Sequence, residues 1–227
     1  MADDVEHRPL DDIALHTAPG GPGVEVRDGP LLLRKRSVSD MDNAVYVLAC
    51  ADTGSALVVD AADDAPAIRR LAAGLLPLAV VQTHGHWDHV RAWDDLVADP
   101  GLEVWGHEGD RDLYPRAADR LLTDGQQLAI GELTVEVLHV PGHTEGSLLL
   151  LVDGATRPWL ITGDSLFPGG PGATFGDRDA HHRLMDGLEA RVFDRLPDTT
   201  RVLPGHGDAT ALGTERPHLA EWRARGW

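Results

Sequence analysis

Apolar residues in this chain cluster into short runs more often than into helical stripes. The runs at 31–36, 44–51 and 55–60 read as consecutive strands, each bounded by Gly, Asp or Ser signals. Asp63 or Asp64 can cap a helix running to about residue 73, and 77–82 is the next strand. A helix over 91–98, a strand over 103–106 and several strands between 126 and 163 follow. The pattern closes with a helix over 180–196, a strand over 201–203 and a short helix over 214–223. The first thirty residues are polar and broken by Pro-Gly-Gly-Pro-Gly at 19–23, which predicts a loosely held lead-in over 1–30 before a single domain over 31–227. Mixed α/β architecture is the expectation.

Four of these strands run straight into a polar cluster. The sequences are VVQTHGHWDH, VLHVPGHTEG, LITGDSLF and RVLPGHG, and they carry His84, His86, Asp88, His89, His143, Asp164 and His206. In extended backbone, side chains at i and i+2 point the same way, so His84 and His86 can close on one ion. Asp88 and His89 come where the chain turns, so they face a second point. Solvated surface histidines do not account for this concentration: the chain has 12 histidines in 227 residues, and three of them fall within six positions beside an aspartate. Histidine and carboxylate ligands suit zinc first, with iron and manganese as alternatives.

Composition narrows the partners. Lys plus Arg is 20 and Asp plus Glu is 37, a net charge of −17, and no basic stripe offsets it, so neither nucleic acid nor an anionic membrane is an expected partner. The three basic residues at 34–36 alternate faces of one strand and make no coherent patch. Cys50 is the only cysteine, which excludes an intramolecular disulfide and a cysteine-rich zinc module. With an acidic start and no long apolar run, the chain is expected to be cytoplasmic, acting on a small molecule. Oligomeric state is left open.

From about residue 31 to 207, HxHxDH, PGHTEGS, GDSLF and PGHG resemble the metallo-β-lactamase superfamily, and most of all its glyoxalase II-like group. The resemblance implies a four-layer αββα sandwich: two facing mixed sheets with helices outside and a two-metal site between them. By motif position, His84, His86 and His143 would hold one metal, Asp88, His89 and His206 the other, and Asp164 would bridge them. It further implies a hydrolase in which a hydroxide shared by two divalent ions attacks a small thioester or ester, with Asp88 and Asp164 as its catalytic carboxylates. A lactonase or other hydrolase of the fold is the alternative within that class. From another class, a persulfide dioxygenase would use one iron on His84, His143 and Asp164. Residues 169–174 read Gly-Gly-Pro-Gly-Ala-Thr where the glyoxalase II group carries Gly-Cys-Gly-Arg, so the thiol carrier stays open.

Outside these motifs the expectations are structural. His7, His16 and His218 are read as solvated, His139 as a strand histidine, His107 as a surface or capping residue, and His181 and His182 as exposed. Trp87 is expected to pack beneath the site, and Cys50 to be a buried small hydrophobe. Phe167 and Phe175 are candidate pocket walls, while Trp222 and Trp227 are expected to fasten the last helix.

Overall fold

Tyr46 and Leu48 leave the strand Ala44–Cys50 on one side, Val45 and Val47 on the other, and all four are buried. A strand dry on both faces lies inside a layered stack, and the rest of the chain builds that stack. The computed structural model describes residues 5–98 and 102–226.

The first sheet has eight strands in chain order: β1 (Val5–His7), β2 (Gly23–Asp28), β3 (Leu31–Ser37), β4 (Ala44–Cys50), β5 (Ser55–Val59), β6 (Leu76–Val81), β7 (Glu103–Gly106) and β8 (Arg120–Leu121). Strands β2 to β5 form an antiparallel meander, and β6 to β8 are added parallel. Within the second sheet, β9 (Gln127–Ile130), β10 (Leu133–His139), β11 (Leu148–Asp153), β12 (Pro158–Gly163), β15 (Arg201–Pro204) and β16 (Thr210–Ala211) lie in the order β16-β15-β12-β11-β10-β9. Between β12 and β15, β13 (Leu166–Phe167) and β14 (Gly170–Pro171) pair as a small hairpin.

Each strand's two-residue period sends its side chains into separate cores. Leu31, Leu33, Tyr46, Leu48, Val135, Leu150 and Ile161 fill the space between the sheets. On the outer face of the first sheet, Val45, Val47 and Val80 meet α1 (Ala65–Leu71) and α2 (Trp93–Val97) through Ile68, Leu71, Trp93 and Leu96. Outside the second sheet, Leu138, Leu149 and Leu160 meet α3 (Arg178–Leu188) and α5 (Leu219–Arg225), with Leu212 of α4 (Leu212–Glu215) beside them. The result is the αββα sandwich expected. Asp64 caps α1 by accepting from Ala67 N at 3.0 Å, and Asp177 caps α3 by accepting from the Asp179 and Ala180 amides.

Several hydrogen bonds stitch one sheet to the other. Tyr46 Oη donates to Pro204 O at 2.6 Å, Trp159 Nε1 to Asp28 at 2.9 Å, Leu148 N to Thr83 O at 2.7 Å and Ala44 N to Gly205 O at 2.8 Å.

Four expectations are corrected. The lead-in expected over 1–30 supplies β1 and β2: Val24 and Val26 alternate with polar residues and join the central core, and Leu15 is fully buried. His181, expected exposed, is buried on the inner face of α3, where its Nε2 meets Trp222 O at 3.2 Å. Trp87, expected beneath the site, is 62% exposed and lies under the Arg91 guanidinium at 5.1 Å. The helix expected over 180–196 leaves α-geometry after Leu188 for a π-helical turn, Glu189–Phe193. Cys50 and Trp222 are buried as expected, while Trp227 lies outside the described residues.

Lys35 carries a pH signature. It is buried, and its Nζ donates to Leu15 O at 3.0 Å and Gly207 O at 2.6 Å. Burial, only partly opposed by Asp208, Asp42 and Asp12, lowers its pKa from 10.5 to about 8. The folded state therefore bears the full cost of charging Lys35 below pH 8. Between about 8 and 10.5 the unfolded chain holds more protons, so stability rises with pH in that window. Relative to Lys35→Met, wild type should gain about 2 kcal/mol between pH 7.5 and 10, read from urea midpoints. A parallel pH dependence in the two proteins would refute it.

Candidate metal centre

The four polar clusters leave neighbouring strand ends and meet at one edge of the sandwich. His84 and His86 follow β6, and Asp88 and His89 sit on a tight 3-10 turn, Trp87–His89. His143 lies in the loop between β10 and β11, Asp164 directly after β12, and His206 just after β15. The first sheet thus contributes four of these residues and the second sheet three.

Ligand atoms of His84, His86 and His143 lie within 4.8 Å of one another, as do those of Asp88, His89 and His206. These are the two groupings expected from the sequence. Asp164 lies between them: its oxygens are 3.5 Å from His89 Nε2, 3.6 Å from His143 Nε2 and 3.5 Å from His206 Nε2. Close approach is needed here, and a Cβ on Gly205 would collide with Asp164 Oδ1 and the His89 ring.

Hydrogen bonding fixes which imidazole nitrogens face inward. His89 Nδ1 donates to Asp60 Oδ2, His206 Nδ1 to Met41 O and His143 Nδ1 to Ala173 O, each at 2.8 Å. Carbonyl and carboxylate oxygens only accept, so in neutral rings the Nε2 lone pairs point into the site. There the His89 and His206 Nε2 atoms stand 3.1 Å apart, and His143 Nε2 is 2.8 Å from His86 Nδ1. Nitrogens held this close must share a proton or a metal ion. His84 Nε2 and Asp164 Oδ1 are buried with no hydrogen-bond partner among the described residues, which fits a metal.

Protonation preferences agree. Burial drives His84 well below the usual histidine range, and burial lowers His86 and His143 against the opposing pull of Asp164. Burial disfavours the Asp88 and Asp164 carboxylates, yet Asn43 and His89 hold Asp88 low, and His206, His89 and His84 hold Asp164 far below the carboxylate range. Burial likewise resists charging His206, but Asp164 outweighs it and raises the pKa to about 9. Asp60 similarly raises His89 over the cost of burial. Metal uptake by the second group would therefore release protons.

Three supporting residues escaped the sequence reading. Asp60, at a positive φ of 67° after β5, accepts from Thr83 N at 2.7 Å, Thr83 Oγ1 at 2.8 Å and His89 Nδ1. Its carboxylate also falls near His84 and His89, but these three donors occupy it as a positioning group. Asn43 Nδ2 donates to Asp88 at 3.0 Å, and residue 43 forms a β-bridge with His206. Asp110 accepts from Gly85 N, Thr144 Oγ1 and Gly146 N, each at 2.7 Å, and so ties the His84–His86 loop to the His143 loop. Of the other histidines, His107 and His139 stack on each other at 3.9 Å, and His139 donates to Glu145 O. His7 and His16 are exposed beside Glu25 and Asp208.

Residues 40–206 match the metallo-beta-lactamase superfamily. Hydroxyacylglutathione hydrolase of Thermosynechococcus vestitus is 35% identical over 173 residues, covering 73% of this chain; the chain spans 64% of that relative's length. Among solved structures, the BLEG-1 B3 metallo-beta-lactamase superposes with a TM-score of 0.72 at 29% identity, covering 84% of this chain and 99% of that one. ETHE1 from Myxococcus xanthus gives a TM-score of 0.72 at 27% identity, over 85% and 84% of the two chains. No helix among the described residues is long and apolar enough to cross a membrane. With the matched segment spanning all seven clustered residues, the chain belongs to the metallo-β-lactamase superfamily.

Proposed function

We propose that this protein is a dinuclear metallohydrolase that cleaves a small thioester or ester. The observation that carries the reading is Asp164, set between two triads of inward-facing ligand atoms. Two divalent ions, zinc before iron or manganese, would be held by His84, His86 and His143 and by Asp88, His89 and His206, with Asp164 shared; when bound they supply hydroxide at neutral pH and polarise an acyl carbonyl. Net reaction adds water across the acyl C–S or C–O bond, giving a carboxylic acid and a thiol or alcohol.

The chain's own residues do the remaining work. Asp88 stays ionised at the cleft and is aimed by Asn43 Nδ2, so it can accept a proton from the attacking water and orient it. Asp60, Met41 O and Ala173 O fix the tautomers of His89, His206 and His143, which keeps the ligand geometry ready before substrate arrives. A bridging aspartate and the likeness to hydroxyacylglutathione hydrolase favour thioester chemistry within this class.

Elemental analysis of protein purified without added metal tests the reading. Two zinc ions per chain, with turnover of a thioester panel that a chelator removes and zinc restores, is the expected result. One iron per chain, with oxygen uptake on a persulfide, would replace the hydrolase by a dioxygenase.

A further inference from the structure

Beside the ligand clusters lies a cleft of about 510 Å³, floored by His86, Asp88, His143, Asp164 and His206. Its walls are Met41, Trp87, Phe167 and Phe175, and no lysine or arginine lines it. Phe167 stands 6.3 Å from the His206 ring, while Phe175 stands 5.8 Å from His86 and 6.0 Å from His143. An aromatic ring therefore flanks each ligand triad.

These walls are not explained by folding. Met41, Trp87 and Phe175 are 47%, 62% and 77% exposed, so the solvent-facing parts of their side chains give the core nothing. Phe175 also holds a positive φ of 54°, a costly backbone state for a bulky residue. Its loop is nevertheless anchored to the site: Ala173 O accepts from His143 Nδ1, and Gly172 approaches the Asp164 carbonyl so closely that a Cβ could not be accommodated. Trp87 is braced from the other side by Arg91, which stacks on its ring and pairs with Asp63 at 3.0 Å. Strained, exposed and tethered aromatics at the mouth of a polar site are what an apolar ligand would require.

We infer that the cleft selects neutral substrates with apolar, aromatic-sized groups beside the scissile acyl bond, gripped by Phe175 and Trp87, and discriminates against carboxylate-bearing acyl groups and thiol carriers. This rests on the hydrolase reading above. The walls carry no lysine or arginine, so a carboxylate lying against Phe167, Phe175 or Trp87, away from the ions, loses water without gaining a partner. The volume falls within the range of ordinary small-molecule pockets.

The test uses the metal-loaded enzyme with three thioesters: phenylacetyl and succinyl thioesters of N-acetylcysteamine, and S-lactoylglutathione. The phenylacetyl compound should lead in kcat/KM by at least about tenfold, and Phe175→Ala should shrink its lead over the succinyl compound by about tenfold. Equal or faster turnover of the succinyl or glutathione thioester, or an unchanged ratio in the variant, overturns the inference while leaving the hydrolase intact. If no thioester or ester turns over, the hydrolase reading fails; calorimetric binding of phenylacetamide over succinamate, weakened in Phe175→Ala, would still support the apolar cleft, and its absence would sink it. A dimer in sedimentation that Phe175→Ala dissociates, with selectivity unchanged, would assign the aromatic patch to a second copy instead.

Discussion

Asp164→Ala should cut kcat/KM about a thousandfold or more and release at least one metal. The carboxylate sits within 3.6 Å of inward nitrogens from both triads, so under the two-metal reading its loss would remove a ligand from each at once. A bound metal's polarisation of the reacting oxygen is worth several kcal/mol of transition-state stabilisation; at 1.36 kcal/mol per tenfold, losing about 4 kcal/mol is roughly a thousandfold in kcat/KM. Metal content and kcat/KM on a thioester check both halves. A fully metallated, active variant would remove Asp164 from the site and with it the two-metal hydrolase.

The second large effect is expected at a residue that touches no ion. In Asp60→Ala, Thr83 N, Thr83 Oγ1 and His89 Nδ1 all lose their acceptor in a fully buried pocket. Unsatisfied buried donors cost about 1 to 3 kcal/mol each, so the variant should lose on the order of 3 kcal/mol or more in urea unfolding. Asp60→Asn separates structure from ligation. Its amide can still serve Thr83, but it offers an N–H where His89 Nδ1 must donate, so the ring is pushed toward the wrong tautomer. Metal affinity should then drop about 10- to 100-fold while the fold survives, measured by competition with a coloured chelator. If the Asp60→Asn variant binds both metals as tightly as wild type, Asp60 is reduced to a packing role.

Ligand types and strand ends were legible in the sequence because both are local. A histidine spaced i, i+2 from another and followed by Asp-His needs only extended backbone and a turn to converge, and the structure supplies both at residues 84–89. Asp60 was not legible, since VVDAADDA offers three aspartates in one turn region and nothing local separates the one facing His89 from the cap of α1. Its partners, Thr83 and His89, are over twenty positions away. His181 failed for a related reason: of two adjacent histidines opening a helix, only α5 packing from the far end of the chain decides which is buried. The Val24–Val26 alternation is short and follows directly on the Pro-Gly run that reads as a loop, and it is the neighbouring β3 that makes it a strand. Trp87 was misplaced because hydrophobicity argues for burial, while the turn holding Asp88 and His89 inward leaves position 87 facing out.

The stitching between sheets acquires a further meaning from the tolerance of coordination chemistry. Metal–ligand distances vary by only about 0.2 Å, whereas one residue of strand rise is about 3.3 Å. Because the seven clustered residues are divided between the sheets, the two layers must keep register to a small fraction of a residue. Tyr46 to Pro204, Trp159 to Asp28, Leu148 to Thr83 and Ala44 to Gly205 act as alignment pins for that register, with Pro204, Gly205 and Thr83 each within two residues of His84 or His206. Under the two-metal reading that edge would act as a vernier scale engraved on the sandwich, turning sub-ångström slippage of the interior into a change of metal affinity before the fold itself gives way.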